Sequence, residues 1–311
     1  MIKLYAIEPE AILNPRVQQA LEAFEFCQGR IVGCVPKGWK KRVYEIFDEQ
    51  PHGKEREALK KTLEILFRKR AVKKIRLPIA KGDHWLAQAA SIDEQELNGI
   101  LVTTVPELGD EVSDSRIFDC WQLNDDNPIW KQETGIREFR DPKAMAEKVR
   151  ILLRYASEVK FIDPHFKGEK KHTDFVVECI KSLNTWRNNK QPPLELHFHF
   201  PSEPTDDPET RKARSLPVFR TVLLKTQVAL SKQKAEVSLY QWSIVDAGDR
   251  FHERTVVTDC GSIEFGGGLD SGKQNEKTSV KLMSSSVHEE LRNAYRYGSG
   301  VYELLHHEKI A

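Results

Sequence analysis

No apolar run in this 311-residue chain approaches the roughly 20 positions that a membrane-spanning helix requires. Where a secretory leader would have its apolar core, Glu8 and Glu10 follow almost at once upon Met1. The expected location is the cytoplasm. Cysteine is scarce: Cys27, Cys34, Cys120, Cys179 and Cys260 are odd in number, scattered, and include no Cys-x-x-Cys pair. That pattern speaks against a disulfide framework or a zinc cage and predicts reduced, mostly buried thiols. An excess of one charge is missing too, since 48 Lys and Arg stand against 47 Asp and Glu. A globally basic nucleic-acid face is thereby excluded, and only local patches remain.

What is present is the composition of a globular protein, 39% hydrophobic and 31% charged, long enough to bury one large core or two ordinary ones. The clearest boundary falls near residue 140. Asp141 suits an N-cap and Pro142 a first helical position, ahead of a periodic run from Ala144 to Tyr155. From there the pattern predicts a strand over Glu158–Ile162 ending at Asp163-Pro164-His165, then a helix from Thr173 to about Arg187. An alternating strand, Leu194–Phe200, turns Glu195, His197 and His199 one way and its apolar residues the other. A polar loop over 201–208 leads to a helix from Glu209 to about Ser231, kinked at Pro217. Strands follow at Val237–Ile244, Phe251–Thr258 and Ile263–Phe265, and a last helix from about Ser286 to Ala294 carries on toward Leu304. This order describes an α/β sandwich with a mixed sheet over residues 141–311. In residues 1–140 a charged helix (Lys54–Arg70), a strand (Lys74–Pro78) and an apolar strand (Ile100–Val105) indicate a second α/β or α+β domain.

The segment that speaks of chemistry is Phe251-His252-Glu253-Arg254-Thr255-Val256-Val257-Thr258-Asp259, followed by Gly266-Gly267-Gly268-Leu269-Asp270. Side chains alternate along a strand, so His252 and Arg254 are expected on one face. An imidazole beside a permanent cation suits a phosphate: the guanidinium grips two oxygens while the histidine attacks phosphorus or moves a proton. Asp259 can orient a histidine or hold a cation. The glycine turn permits close backbone approach, and its N–H groups are candidate anion donors.

The spacing resembles the HxKxxxxD motif of the phospholipase D superfamily, with Arg254 where lysine is usual. It is more similar still to the phospholipase-D-like C-terminal domain of MIT-domain proteins. That family shows His-Asp-Arg, a Gly-Trp turn and a Gly-x-Gly-Leu-Asp ending, against which stand His252-Glu253-Arg254, Gly261-Ser262 and Gly266-Gly267-Gly268-Leu269-Asp270. The strand end Phe161-Ile162-Asp163-Pro164-His165-Phe166 looks like the "DPY" strand end of the same family. The likeness spans about 165 residues in element order and about 20 tightly; the Ser and Asn usual in the glycine turn, and an MIT helical bundle, are missing.

The resemblance implies a metal-independent phosphodiesterase or nuclease with no cofactor. Its catalytic residues would be His252, Arg254, Asp259 and His165, with Gly267, Gly268 and Asp270 binding phosphate. Active members use two histidines, so a homodimer pairing two His252 residues, or His165 as the second, is required. Family habit adds anti-phage defence and an operon-encoded protein partner. The alternative is an inert module of the same fold that binds a partner protein, nucleic acid or an anionic lipid, with Arg254 locked in an ion-pair network to Asp259, Asp270 or Asp163. His197 and His199 lack a carboxylate or cysteine at ligand spacing and read as solvated or core-edge histidines, not metal ligands. The basic clusters Lys37-Lys40-Lys41-Arg42 and Lys54 to Lys74, with Trp39 and Phe67 interleaved, fit a solvated helix face or a nucleic-acid patch.

Overall fold

The computed structural model describes residues 1–311 apart from 36, 70, 75–83, 105–113, 166–169, 187–193, 202–234, 243–252, 297, 299–300 and 310–311. It divides into two compact units, Met1–Glu133 and Thr134–Ala311, and both are α/β.

The first unit holds a five-stranded, wholly parallel sheet in the order β3-β2-β1-β4-β5. The strands are β1 (Lys3–Ile7), β2 (Arg30–Cys34), β3 (Val72–Lys74), β4 (Gly99–Val102) and β5 (Ile117–Asp119). β2 and β4 are buried along their whole length, as parallel strands covered on both faces must be. Helices α1 (Pro15–Leu21), α2 (Trp39–Glu49), α3 (Lys54–Arg68) and α4 (Trp85–Ala90) accompany them. Trp39, Val43 and Ile46 of α2 and Leu59, Leu63 and Leu66 of α3 enter one core with Tyr5, Val32 and Phe118. Trp39 is thus no surface aromatic: it is fully buried, and its Nε1 donates to the Ile7 carbonyl at 2.5 Å.

The second unit begins with β6 (Gly135–Phe139), which lies N-terminal to the boundary expected near residue 140, and α5 (Pro142–Tyr155). Asp141 caps α5 as expected, accepting from the amides of Lys143 and Ala144 at 3.0 Å each. β7 (Glu158–Ile162), α6 (Lys170–Trp186), β8 (Leu194–Pro201), β9 (Ala235–Trp242), β10 (Thr255–Thr258), β11 (Ser262–Phe265), β12 (Lys277–Leu282), α7 (Ser285–Ala294) and β13 (Leu304–Lys309) follow. The loop and kinked helix expected over 201–231 fall almost wholly outside the described residues, as do residues 251–252 of the strand expected over 251–258. The last helix does not run on to Leu304; that residue opens β13, which pairs antiparallel with β9.

Eight strands make one mixed sheet, β13-β9-β8-β7-β10-β11-β12-β6. β7, β8 and β9 are parallel, whereas β10 runs antiparallel to β7 and starts the antiparallel half. Alternation sorts the two faces. Phe161 meets Phe175 of α6, at 6.2 Å between ring centroids. Its neighbour Ile162 joins Val257, Trp242 and Leu291 on the α7 side. Among the described residues, no helix is long and apolar enough to cross a membrane.

Candidate functional site

The exit of β7, the start of β10 and the turn after β11 converge at one end of the second sheet. The register Thr255↔Ile162 brings Arg254 opposite Asp163, and the Phe265 amide donates to the Arg254 carbonyl at 2.8 Å. Val256 pairs with Phe161 on the α6 face, so Arg254, two residues earlier, emerges on that face. Glu253 goes the other way and accepts from the Tyr295 hydroxyl at 2.9 Å. Opposite faces for adjacent residues are what an extended segment dictates. His252 lies outside the described residues.

Arg254 opens into a cleft of about 370 Å³ whose walls include His165, Lys171, His172, Arg140 and Asp270. Its Nη1 donates to the Gly266 carbonyl at 2.9 Å, and its Nη2 lies 3.3 Å from His165 Nε2. A guanidinium only donates, so His165 Nε2 is the acceptor in this contact. The Nε of Arg254 is buried without a hydrogen-bond partner among the described residues. No carboxylate pairs with Arg254 among the described residues. The ion-pair lock to Asp259, Asp270 or Asp163 therefore does not form. Lys171 and His172 come from the first turn of α6, whose positive dipole end adds to the same field.

The acids around the cleft are already engaged. Asp270 and Glu276 flank Arg140 in ion pairs, and Lys171 Nζ stands 3.7 Å from Asp270 Oδ2. Asp163, 1% exposed, accepts from the amides of His165 at 2.7 Å and Leu269 at 2.8 Å. One carboxylate thereby ties the end of β7 to the glycine turn. Among the described residues no group of three or more His, Cys, Asp or Glu could hold a metal ion.

Two roles expected from the sequence do not fit this geometry. Asp259 takes no part in the cleft. It lies beyond the opposite end of β10, where its carboxylate accepts from the Ser157 amide at 2.8 Å and the Ser157 hydroxyl at 2.7 Å. Five residues of extended chain, on the order of 16 Å, separate it from Arg254. The glycine amides are not free for an anion either: Gly266 donates to Ser279, Gly267 to Thr278 Oγ1 and Gly268 to Phe265. What Gly267 and Gly268 contribute is room. Gly268 has φ +106°, and a Cβ there would stand 2.7 Å from Asp270 Oδ1. Gly268→Ala should therefore cost about 2 kcal/mol by chemical denaturation and displace Asp270 from Arg140. His199 is no core-edge histidine but 1% exposed, and His197 is half-buried beside Glu158 at 3.4 Å.

No linear motif marks Arg140, Lys171 and His172 as site residues. Arg140 immediately precedes the N-cap Asp141, and it reaches the cleft because β6 pairs with β12, more than a hundred residues away in sequence. The Lys170-Lys171-His172 run just ahead of the periodic stripe of α6 was the only available signal.

No family model matches the chain, and no curated protein matches it. Among solved structures, one match is TrmBL2, an archaeal chromatin protein described as having a novel mode of DNA binding, with TM-score 0.30 and 13% identity. The match covers 57% of this chain and spans 55% of that one; at that score it assigns neither fold nor function.

Proposed function

We propose that the second unit is a phospholipase-D-like phosphodiester site, with His252 as nucleophile or acid/base and Arg254 as the phosphate clamp. The observation that carries this reading is the Arg254–His165 pair: a cation with no carboxylate partner and a buried, unbonded Nε among the described residues, 3.3 Å from a second imidazole in an open cleft. A diester phosphate has one negative charge and acceptor oxygens, which is what such a guanidinium lacks. His165 supplies the acid/base partner that the single His252 segment needs, and Lys171 adds charge for the pentavalent transition state. Asp163 and Asp259 act as structural ties and not as proton carriers. A covalent phosphohistidine would let water attack in a second step without a metal-activated hydroxide.

The test is hydrolysis of single-stranded DNA, RNA and bis(p-nitrophenyl) phosphate in EDTA. Wild type should turn over at least one of these, His252→Ala should abolish it, and Arg254→Ala should lower it by roughly a hundredfold or more. Absence of turnover by wild type on every diester sinks the catalytic reading.

A second reading, an inert module that binds an anionic partner at this cleft, is favoured by one feature. Arg140 is neutralised from both sides by Asp270 and Glu276, leaving fewer cations than a phosphoryl-transfer site would use. Phosphate or anionic-lipid binding that survives His252→Ala and is lost in Arg254→Ala would select it.

A further inference from the structure

The outer face of α2 and α3 joins cations and one exposed aromatic in a way that the phosphodiester reading does not use. Lys40 and Lys41 project from α2, just after Lys37, and all three are exposed. Tyr44, one turn beyond Lys40, is 42% exposed and stacked on the half-buried Phe67 of α3 at 5.6 Å between centroids, 22° from parallel. The Lys40 ammonium lies 4.3 Å from the centre of the Phe67 ring and 5.8 Å from that of Tyr44. On α3, Lys60 stands two turns before Phe67 on the same stripe, and Arg68 is the next residue after it. Lys37, Lys40, Lys60 and Arg68 make no ion pair among the described residues. Opposing them, Glu45 lies between Lys41 and Arg42, at 3.6 and 3.8 Å, and Glu64 stands between Lys60 and Arg68 on α3. The chain as a whole is nearly neutral, so this grouping is local.

We infer that the α2–α3 face binds single-stranded nucleic acid, the lysines following the phosphate backbone and Tyr44 receiving an unpaired base. Spaced cations with no ion-pair partner among the described residues suit a polyanion, because each phosphate bound releases a condensed counterion. An exposed ring already stacked from below offers a flat platform at little entropic cost, and stacking on it needs an unpaired base, which a duplex does not present. A bilayer fits less well. The apolar residues Val43, Ile46, Leu59, Leu63 and Leu66 all turn into the core, leaving no apolar face to insert. These residues belong to the first unit and the Arg254 cleft to the second, so this inference stands or falls separately from the diester reading.

The experiment is fluorescence anisotropy of the full chain with a labelled oligothymidylate of about 20 nucleotides, at about 50 and about 200 mM salt. Wild type should bind the single strand at least tenfold more tightly than a duplex of the same length, and lose affinity steeply with salt. Tyr44→Ala should weaken binding roughly tenfold, with Tyr44→Phe restoring it, and Lys40→Gln with Lys60→Gln should both weaken binding and flatten the salt dependence. Circular dichroism checks each fold; if Tyr44→Ala unfolds, the lysine pair, both exposed, carries the test. No binding by wild type, binding indifferent to these substitutions, or stronger capture by phosphatidylserine vesicles with Tyr44 irrelevant would each overturn it. Binding indifferent to them but lost in Arg254→Ala would overturn this inference and leave the diester reading standing.

Discussion

Replacing Asp163 with alanine should cost the second unit about 3 kcal/mol or more and lower its melting temperature by roughly 10 °C. The carboxylate is 1% exposed and accepts two amides, from His165 at 2.7 Å and Leu269 at 2.8 Å. Hydrogen bonds to a charged acceptor contribute about 1.5–3 kcal/mol each. Truncation also leaves the Leu269 amide buried with nothing to receive it, because Leu269 is wholly inaccessible. The consequence reaches the cleft, since the Leu269 amide anchors the turn that places Gly267, Gly268 and Asp270. Anion binding at Arg254 should weaken together with stability. Asp163→Asn keeps one carbonyl acceptor but turns an NH2 group toward an N–H donor, so about half of the loss should remain. Urea denaturation followed by near-ultraviolet circular dichroism measures both variants. An Asp163→Ala midpoint within about 1 kcal/mol of wild type would show that the tie between β7 and the glycine turn is dispensable.

The elements that sequence reading placed well are those whose period is intrinsic to the segment. The Asp141-Pro142 start of α5, the α6 stripe of Phe175, Val176, Cys179 and Ile180, and the existence of strand β8 are local facts, and the structure repeats them. The parallel sheet of the first unit was mostly illegible for the opposite reason. β1 and β2 are short apolar runs buried on both faces and carry no alternation, and β3 is a three-residue edge strand of Val72, Lys73 and Lys74; only β4, within the longer apolar run from Ile100, was expected. The cleft shows the same division. Arg254 and the glycine turn were visible because they sit close together in sequence. Asp259 was misjudged because nearness along an extended strand is distance in space. Arg140 arrived by strand pairing and Lys171 by a helix start, neither of which a linear motif records. Trp39, set among the basic residues by sequence, is buried while Tyr44 is exposed, because only the helix phase, fixed by the sheet below, decides which aromatic is buried.

Acid should destabilise the second unit from two different onsets, and a single residue should remove the first. His199 is 1% exposed, stacked on Tyr240 at 4.8 Å and on Trp242 at 5.8 Å between centroids, and its Nδ1 accepts from Trp242 Nε1 at 2.9 Å. Burial, then the nearby Lys160 ammonium and His197, hold its pKa well below the ordinary 6.5. The folded state thus keeps the ring neutral while the unfolded chain takes up the proton. Its contribution is complete above pH 6.5 and is lost progressively below it. Glu158 acts lower. A hydrogen bond from His197, together with the Lys160 ammonium, outweighs burial and lowers its carboxyl from 4.5 to about 2. That contribution is complete above pH 4.5 and disappears between there and about 2; it amounts to on the order of 2–3 kcal/mol. His199→Phe should be less stable than wild type at about pH 8 by roughly 1–3 kcal/mol, because Trp242 Nε1 loses its acceptor. From there to about pH 5 the variant should lose less stability than wild type, while the stage set by Glu158 stays in place. Glu158→Gln should do the reverse, leaving the upper stage and flattening the lower. Guanidinium titrations across this range decide the matter: parallel stability curves for wild type and His199→Phe between pH 6.5 and 4.5 would mean that the buried ring does not govern the upper stage.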